Sequence, residues 1–250
     1  MLDRDTVLDI DNVTVRFGGV TAVNQVSLQI GAGERWAVIG PNGAGKTTLF
    51  RTVSGEVLPT QGKVTLFGAD MSRAGPYRKA HRGLGRTYQV TELFKALTVE
   101  DNLTIAYQAT KAVKFAFWKP VRLRGEVGER IDAVLDQVGL PGERKTVVDE
   151  MSHGEQRQLE IAMALASDPR LLLLDEPAAG LSAAERRIMR DLVEGLSREL
   201  SIVLIEHDMD IALELAERVL VLDNGRSIAE GTPEEIRSNQ LVQDVYLRYE

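Results

Sequence analysis

The stretch that most constrains this chain is Gly40-Pro41-Asn42-Gly43-Ala44-Gly45-Lys46-Thr47-Thr48. It fits the pattern G-x-x-x-x-G-K-[ST], the Walker A phosphate loop. The apolar run 36–39 before it predicts a buried strand, and residues 49–54 continue into a helix that Gly55 can end. Strand, glycine loop and helix together form the α/β unit in which this pattern binds phosphate groups.

The residue types in the loop suit a polyphosphate. Glycine lacks a Cβ, so the backbone at positions 40, 43 and 45 can adopt φ > 0 and turn successive N–H groups toward an anion. The loop also leads into the positive end of a helix dipole. Lys46 offers a positive charge to the β- and γ-phosphates, and Thr47 offers a hydroxyl to Mg²⁺. The alternative is an ordinary glycine-rich turn, which an acidic motif further along the chain disfavours.

Composition limits the class of protein. The chain has 250 residues, 44% of them hydrophobic, so it can bury the core of one large domain or of a domain with an inserted lobe. A net charge of −7 argues against a nucleic-acid-binding surface. The lack of cysteine excludes disulfides and disfavours structural zinc. Without an N-terminal signal core or an apolar run near the ~18 residues of a membrane span, we expect a soluble cytosolic protein.

Hydrophobic spacing predicts an α/β frame with an inserted helical lobe. Alternating residues in 7–30 predict antiparallel strands around a Gly18-Gly19 turn, and 63–67 and 83–89 predict further strands. From Thr98 to about Ala166 the spacing is helical, with no convincing strand. An amphipathic helix is predicted there from Ile131, Val134, Leu135 and Val138.

The C-terminal part again alternates strands and helices. Runs at 171–174 and 201–206 predict buried strands. A capping box at Ser182 predicts a helix with an apolar stripe of Ile188, Leu192 and Leu196. Asn224-Gly225 predicts a type I′ hairpin turn, and Thr232 a capped final helix.

Two acids follow the apolar run 171–174. Acids at the carboxyl end of a buried parallel strand lie where open α/β sheets bind ligands. Asp175 is the candidate to hold Mg²⁺, and Glu176 the candidate to polarise the water that attacks the γ-phosphate. The alternative is a simple turn after a strand, which the Walker A loop disfavours.

Two features leave alternatives open. Phe17 ends a strand shortly before the phosphate loop, so it either stacks on an adenine ring or is a core residue at a strand end. The segment 111–124 contains five cations and three aromatic residues without an acid. It is interpreted as a solvated connector with anchored aromatic residues; the alternative is a surface that contacts anionic lipid or a membrane partner.

A second motif makes a family resemblance specific. Met151-Ser152-His153-Gly154-Glu155-Gln156 opens a helix about twenty residues before Asp175. The chain resembles the ATP-binding cassette (ABC) subunit of a membrane transporter, whose signature is usually written Leu-Ser-Gly-Gly-Gln. The resemblance implies a P-loop NTPase (RecA-like) core with an antiparallel β-subdomain and an inserted α-helical subdomain. We expect one nucleotide-binding domain, 1–250, with 1–89 and 167–250 as the α/β core and β-subdomain and 90–166 as the helical subdomain.

The resemblance also implies a role for each matching residue. Gln89 matches the Q-loop glutamine, which senses Mg²⁺, and His207 matches the switch histidine, which contacts the γ-phosphate. Glu176, His207 and Gln89 would then be catalytic, and Thr47, Gln89 and Asp175 would hold Mg²⁺. The resemblance favours the interpretation that Phe17 stacks on adenine. The other positions expected to bind ATP are the loop Gly40 to Thr48, and Ser152, Gly154 and Glu155.

The chain departs from the family pattern at several positions. Met151 replaces the signature leucine, His153 the first glycine, and Glu155 precedes Gln156. The D-loop, 179–182, ends in Ser182 where aspartate is usual. Binding is still expected through Ser152 Oγ and the Gly154 N–H, with His153 either participating or remaining a surface residue. The changed D-loop affects communication across a cassette pair rather than ATP binding.

Several strings narrow the resemblance to branched-chain amino-acid uptake cassettes, and urea and short-chain amide importers carry nearly the same strings. The strings are 86–89 with 93–94, 97–103, 176–181, 205–209 and the Tyr246-Leu247 ending. They imply two permease subunits, a second cassette in a head-to-tail pair, either a copy of this chain or a related one, and an extracytoplasmic solute-binding protein. The chain would lie at the cytoplasmic face of the inner membrane. The alternatives are an export ATPase, as in lipopolysaccharide extraction, and a non-transport ABC ATPase.

Overall fold

The computed structural model of the chain describes residues 5–87, 93–110 and 125–247. The chain forms two compact units, each made of segments that are distant in sequence. The first contains Met1–Leu84, Arg170–Glu176 and Ser197–Glu250, and the second contains Gly85–Pro169 and Pro177–Leu196. The subdomain boundaries expected from the sequence stay a prediction.

The strands form two sheets, one antiparallel and one mixed. In chain order they are β1 (Thr6–Phe17), β2 (Val20–Gly31), β3 (Arg35–Ile39), β4 (Gln61–Leu66), β5 (Ala69–Asp70), β6 (Leu84–Arg86), β7 (Leu171–Asp175), β8 (Ser201–Ile205), β9 (Arg218–Asp223) and β10 (Arg226–Gly231). The smaller sheet has the order β2-β1-β4-β5, and the larger has the order β10-β9-β3-β8-β7-β6. Strands β7, β8, β3 and β9 run parallel, so their carboxyl ends lie on the same edge.

The helices connect and cover these strands. They are α1 (Lys46–Ser54), α2 (Pro76–Ala80), α3 (Val99–Thr110), α4 (Glu126–Gln137), α5 (His153–Ala166), α6 (Ala183–Gly195), α7 (Met209–Leu215), α8 (Pro233–Arg237) and α9 (Gln240–Leu247), with short 3₁₀ turns at Glu143–Lys145 and Val148–Glu150. In the second unit α5 packs against α3, α4 and α6. Among the described residues, none of the helices combines the length and apolar character that a bilayer span requires.

The core of the first unit explains why its strands are so apolar. Strands β3, β7 and β8 are buried along their whole length, as expected for strands covered on both faces. One cluster of buried side chains joins both sheets to helix α1 through Leu49, Phe50 and Val53. Burial of this kind stabilises by roughly 25 cal/mol per Å² of apolar surface, so the helix that follows the phosphate loop is held firmly by its apolar face.

Most predicted elements are present, but the helix that Thr232 caps is not the final one, since α9 follows it. The hairpins, the helix containing Ile131 to Val138 and the type I′ turn are confirmed, the last by positive φ at Asn224 and Gly225. Of the apolar residues that predict α6, Leu192 and Leu196 are buried, whereas Ile188 is 52% exposed beside the buried Met189. Phe17 is not a core residue: its side chain is 52% exposed.

Candidate functional site

The phosphate loop connects β3 to α1 in a shape that requires glycine. Gly40 has φ +145°, and a Cβ there would lie 2.1 Å from the Leu222 carbonyl oxygen. Gly45 has φ +100°, and a Cβ there would lie 2.3 Å from the Ala22 carbonyl oxygen. Neither position can accept a side chain without moving the backbone. Strand β2 and the end of β9 therefore fix the two ends of the loop.

The N-terminus of α1 is open to an anion. Its N-cap is Gly45, which has no side chain to accept a hydrogen bond, and no acidic residue lies in its first turn. The first N–H groups of a helix have no partner within the helix, and they attract negative charge. Asn42 and Gly43 are exposed, whereas Ala44 and Lys46 are buried. The loop thus presents backbone donors at the surface and holds its lysine inside.

Lys46 is the charged centre of the loop. Its Nζ donates to the carbonyl oxygens of Gly40 and Pro41, the second at 3.0 Å. Burial lowers the pKa of Lys46, while the negative charges of Glu176 and Asp175 act in the opposite direction and raise it. The two acids at the end of β7 therefore lie within electrostatic reach of the loop lysine. The rule that ligands bind at the carboxyl edge of parallel strands predicts this neighbourhood.

Asp175 and Glu176 differ in burial and backbone conformation. Asp175 is the last residue of β7 and is 1% exposed. Glu176 is half-buried, and its φ of +50° is unusual for a residue with a side chain. Its N–H donates to the Ile205 carbonyl oxygen at 3.0 Å, which holds it against the end of β8. A left-handed residue costs about 1–3 kcal/mol, and such residues concentrate at functional sites.

His207 follows the neighbouring strand and lies close to the same acid. It is exposed, and its Nδ1 lies 3.9 Å from Glu176 Oε2 and 4.0 Å from Glu206 Oε2. Glu206 is buried at the end of β8, directly before His207. A small movement would therefore bring the imidazole into contact with the Glu176 carboxylate.

The turn that carries Phe17 belongs to the strand pair that supports the phosphate loop. Phe17 and Val20 pair at the end of the β1–β2 hairpin. Ala22, two residues after Val20, is the residue whose carbonyl approaches Gly45. An exposed aromatic face on this hairpin is available to stack on a planar ligand.

The signature residues lie in the second unit at the start of α5. Ser152 is the N-cap, and its Oγ accepts from the Glu155 N–H at 3.3 Å, while the Ser152 N–H donates to Glu155 Oε2 at 2.8 Å. Glu155 therefore completes a capping box. The Gly154 N–H donates to Glu185 Oε1 at 3.2 Å. Ser152 and His153 are exposed, and Gly154 is buried.

Two of the sequence-based hypotheses lie outside the described residues. Gln89, expected to sense Mg²⁺, falls in 88–92, and the basic and aromatic segment falls in 111–124. Their assignments stay predictions.

Two residues near these motifs escape sequence reasoning. Glu185 stands out only as part of the capping box of α6, and nothing in its spacing indicates contact with Gly154. Burial raises the pKa of Tyr246 to about 12, against an opposing effect of the Gly40 N–H. The Tyr246 hydroxyl is buried near Gly40 without forming a hydrogen bond of normal geometry. In the sequence, Tyr246 is marked only by the Tyr246-Leu247 ending, one of the strings that resemble branched-chain cassettes.

Comparison with known proteins identifies the family. The profile described as "ABC transporter" matches residues 23–179, and that described as "Branched-chain amino acid ATP-binding cassette transporter" matches 226–247. The chain is similar to the high-affinity branched-chain amino acid transport ATP-binding protein BraF of Pseudomonas aeruginosa, with 36% identity over 96% of this chain and 97% of that protein. LivG of Salmonella typhimurium, with the same descriptive name, is 38% identical over the same shares.

Comparison with solved structures supports the same family. The solved structure of the ADP conformation of an ATP-binding cassette of an ABC transporter superposes with a TM-score of 0.86 and 28% identity, covering 97% of this chain and 98% of that one. The fold and the phosphate loop therefore define an ATP-binding cassette, and the chain belongs to the ABC transporter family. It is an ATPase, the ATP-binding and ATP-hydrolysing subunit of a transporter.

Proposed function

We propose that this chain hydrolyses ATP to energise the uptake of branched-chain amino acids, or of a related small solute, through membrane permease partners. The match of residues 226–247 to the branched-chain cassette profile carries this proposal. Relatives named for branched-chain amino acid transport, similar along almost their whole length, support it. The chain would act at the cytoplasmic face of the inner membrane, in a system with two permeases and an extracytoplasmic solute-binding protein.

The phosphate loop would bind the β- and γ-phosphates. The open N-terminus of α1 offers N–H donors, and Lys46 would exchange its bonds to the Gly40 and Pro41 carbonyls for bonds to phosphate oxygens. Such an exchange favours the phosphate because a charge-assisted bond is stronger than a bond to a neutral carbonyl. Phe17 would stack on the adenine ring from the exposed hairpin.

The donors beside the loop fit Mg²⁺. The Thr47 hydroxyl in the first turn of α1 and the Asp175 carboxylate are oxygen ligands of the type that Mg²⁺ prefers. The negative charge of Asp175, which raises the pKa of Lys46 against the effect of burial, supports a cation site beside the loop. Gln89 is proposed as a third ligand from its motif alone. When bound, Mg²⁺ would neutralise charge that develops on the phosphate oxygens.

Glu176 would act as the base that orients and deprotonates the attacking water. Its left-handed backbone, fixed by the Ile205 carbonyl, turns the chain sharply at the end of β7. His207 lies near enough to Glu176 to contact the γ-phosphate on the same side. Together with Gln89 they form the proposed catalytic set.

A second cassette would complete the site. In a head-to-tail pair, the start of α5 with Ser152, Gly154 and Glu155 would face the γ-phosphate held by the partner's phosphate loop. Helix N-termini on both sides would then share one anion, so ATP would favour the closed pair and hydrolysis would remove that preference.

The uptake assay that tests this proposal uses intact cells. A strain from which the gene is deleted should lose uptake of labelled leucine, isoleucine and valine, and plasmid-borne wild-type chain should restore it. The Glu176→Gln variant should not restore it although it is produced equally. Restored uptake of urea or an amide alone would move the substrate to the related importers, and no effect on any uptake would refute the import proposal.

Copurification tests the partners. Affinity-tagged chain extracted with detergent from membranes should bring two polytopic permeases and a cassette, identified by mass spectrometry. Recovery of an export permease instead would favour lipopolysaccharide extraction, and recovery of ribosomes would favour a non-transport ATPase.

A further inference from the structure

One carboxylate joins the starts of two helices in the second unit. Glu185 Oε2 accepts from the N–H and the hydroxyl of Ser182, at 2.9 and 2.6 Å. Glu185 Oε1 accepts from the Gly154 N–H at 3.2 Å. Ser182 is the N-cap of α6, and Gly154 is the second residue of α5. The two oxygens of one side chain thus serve the positive ends of two different helices.

The contact with Gly154 depends on the absence of a side chain there. A Cβ at position 154 would lie 2.7 Å from Glu185 Oε1 and 3.0 Å from its Cγ. Hydrogen bonds from Ser182 are the main reason that the pKa of Glu185 is lowered, and the Gly154 N–H contributes in the same direction. Glu185 is therefore ionised at neutral pH, and it presents a negative charge where the signature is expected to meet phosphate.

The contact is accessible from outside the second unit. It borders a cleft of roughly 310 Å³ whose lining includes Ser152, Gly154, Glu155 and Glu185. Ile188, 52% exposed, forms part of the same wall. The cleft thus brings together the Ser152 side and the Gly154 N–H, which already donates to Glu185.

We propose that Glu185 is a positioning residue that competes with the γ-phosphate for the Gly154 N–H and thereby sets how much ATP is needed to close a cassette pair. The proposal rests on the proposed function, because it needs the signature to face a partner's nucleotide. A single N–H donates one strong hydrogen bond, and two anions at one helix end repel each other. The γ-phosphate must therefore displace Glu185 Oε1 before it can bind Gly154.

Displacement need not break the capping box. Glu185 Oε2 can keep both bonds to Ser182 while Oε1 turns away from Gly154, since the two oxygens have separate partners. Glu185 would therefore remain bound to the D-loop serine while it releases the signature glycine. This link occupies the place where Ser182 replaces the usual aspartate.

The test compares two capping glutamates in a background that cannot hydrolyse ATP. Glu235 completes a capping box at α8 as Glu185 does at α6, but it lies in the first unit. Its Oε2 accepts from the Thr232 N–H at 2.8 Å, and its own N–H donates to Thr232 Oγ1 at 3.3 Å. Glu176→Gln chain would be combined with Glu185→Gln or Glu235→Gln. The ATP concentration for half-maximal pairing would be measured by analytical ultracentrifugation, and the melting temperature of each variant by calorimetry.

Neutralising Glu185 should lower the ATP concentration for half-maximal pairing by about five-fold, the size expected for weakening one competing charge-assisted bond. Glu235→Gln should leave it unchanged while lowering the melting temperature by a similar amount, since both variants weaken a capping box. An equal or higher ATP requirement for Glu185→Gln than for Glu235→Gln would overturn the proposal. If Glu176→Gln chain does not pair with itself in ATP, this inference fails, whereas the proposed function is decided separately by the uptake assay.

Discussion

The phosphate loop, residues 40–48, and the signature turn, residues 151–156, are both helix starts, but they are filled in opposite ways. Helix α1 begins at a glycine, without a side-chain cap and without an acid in its first turn. Helix α5 begins with Ser152, a Glu155 capping box and a third acceptor, Glu185. One helix end is open to an anion, and the other already carries carboxylates. The sequence patterns at Gly45 and Ser152 therefore indicate two helix starts that could bind phosphate. They do not indicate that Glu185 already accepts a hydrogen bond at the second one.

The largest expected effect concerns Glu176, the proposed base beside the open phosphate loop. Changing it to Gln should lower ATP turnover by about 10²–10⁴-fold, because a general base contributes that much, while the ATP dissociation constant should change little. Steady-state ATPase assays and calorimetric titration measure the two quantities. Glu199→Gln, an exposed change of the same kind in the first unit, is the control. Normal turnover in Glu176→Gln would remove Glu176 from the role of base.

Lys46 tests the open helix end directly. Lys46→Ala should weaken ATP binding by about 30-fold, the equivalent of about 2 kcal/mol for hydrogen bonds to a charged group. Lys63→Ala, at a half-exposed lysine on β4, should leave binding as it is. Calorimetric titration gives both constants. Unchanged affinity in Lys46→Ala would remove Lys46 from the phosphate site.

The next prediction concerns the stability of the second unit, in which ion pairs join α3 to the 3₁₀ turn at 143–145. Glu100 is 3% exposed and accepts from Lys145 and Arg144, and these bonds lower its pKa. Glu100→Gln should reduce the free energy of unfolding by about 2 kcal/mol, because it replaces charge-assisted hydrogen bonds to a buried carboxylate with weaker ones.

The sign of the pH dependence follows from that lowered pKa. The stabilisation is present above the pKa of Glu100 in the unfolded chain and is lost as the pH falls through the folded value. The gap between wild type and Glu100→Gln in urea unfolding should therefore close in acid. Asp132→Asn, which removes the exposed partner of Arg144 at 2.9 Å, should have a smaller effect. A gap that persists in acid would contradict the assignment.

The smallest expected effect concerns Lys79, which binds the carboxyl end of the phosphate-loop helix. Its Nζ donates to the Thr52 and Val53 carbonyl oxygens at 2.9 and 2.8 Å, and burial lowers its pKa from 10.5 to about 8. Between these values the unfolded chain binds the proton more tightly, so stability should rise with pH.

Urea unfolding at several pH values between about 7 and 10 checks this. Wild type should gain on Lys79→Met by at most about 1.4 kcal/mol per pH unit above about pH 8. Parallel pH profiles for the two proteins would show that Lys79 keeps its proton in the folded state.

The structure of the phosphate-loop region is easier to predict from the sequence than that of the signature turn. Its pattern constrains the backbone, so Gly40 and Gly45 can be assigned from residue type, and the apolar runs at 36–39, 171–174 and 201–206 indicate the strands around it. Boundaries differ by a residue or two: β4 spans Gln61–Leu66 because Phe67 turns at φ +49°.

Other features depend on contacts between distant residues. Glu185 meets Gly154 across thirty-one positions, and no local spacing encodes that meeting. Helices α7 and α9 are hard to predict because they are short, although Asp208 and Asn239 cap them with side-chain oxygens. The exposure of Ile188 likewise depends on tertiary packing, in which its neighbour Met189 is the buried residue.

The hairpin turn at Asn224-Gly225 forms backbone hydrogen bonds with the phosphate loop and with β2. The Gly225 N–H donates to the Ala44 carbonyl oxygen at 3.0 Å, and the Gly225 carbonyl accepts from the Asn24 N–H at 2.7 Å. The region shared with branched-chain cassettes starts at Arg226, the next residue along the chain. A change of sequence at the start of this region would therefore lie one peptide bond from a backbone contact that supports the phosphate loop.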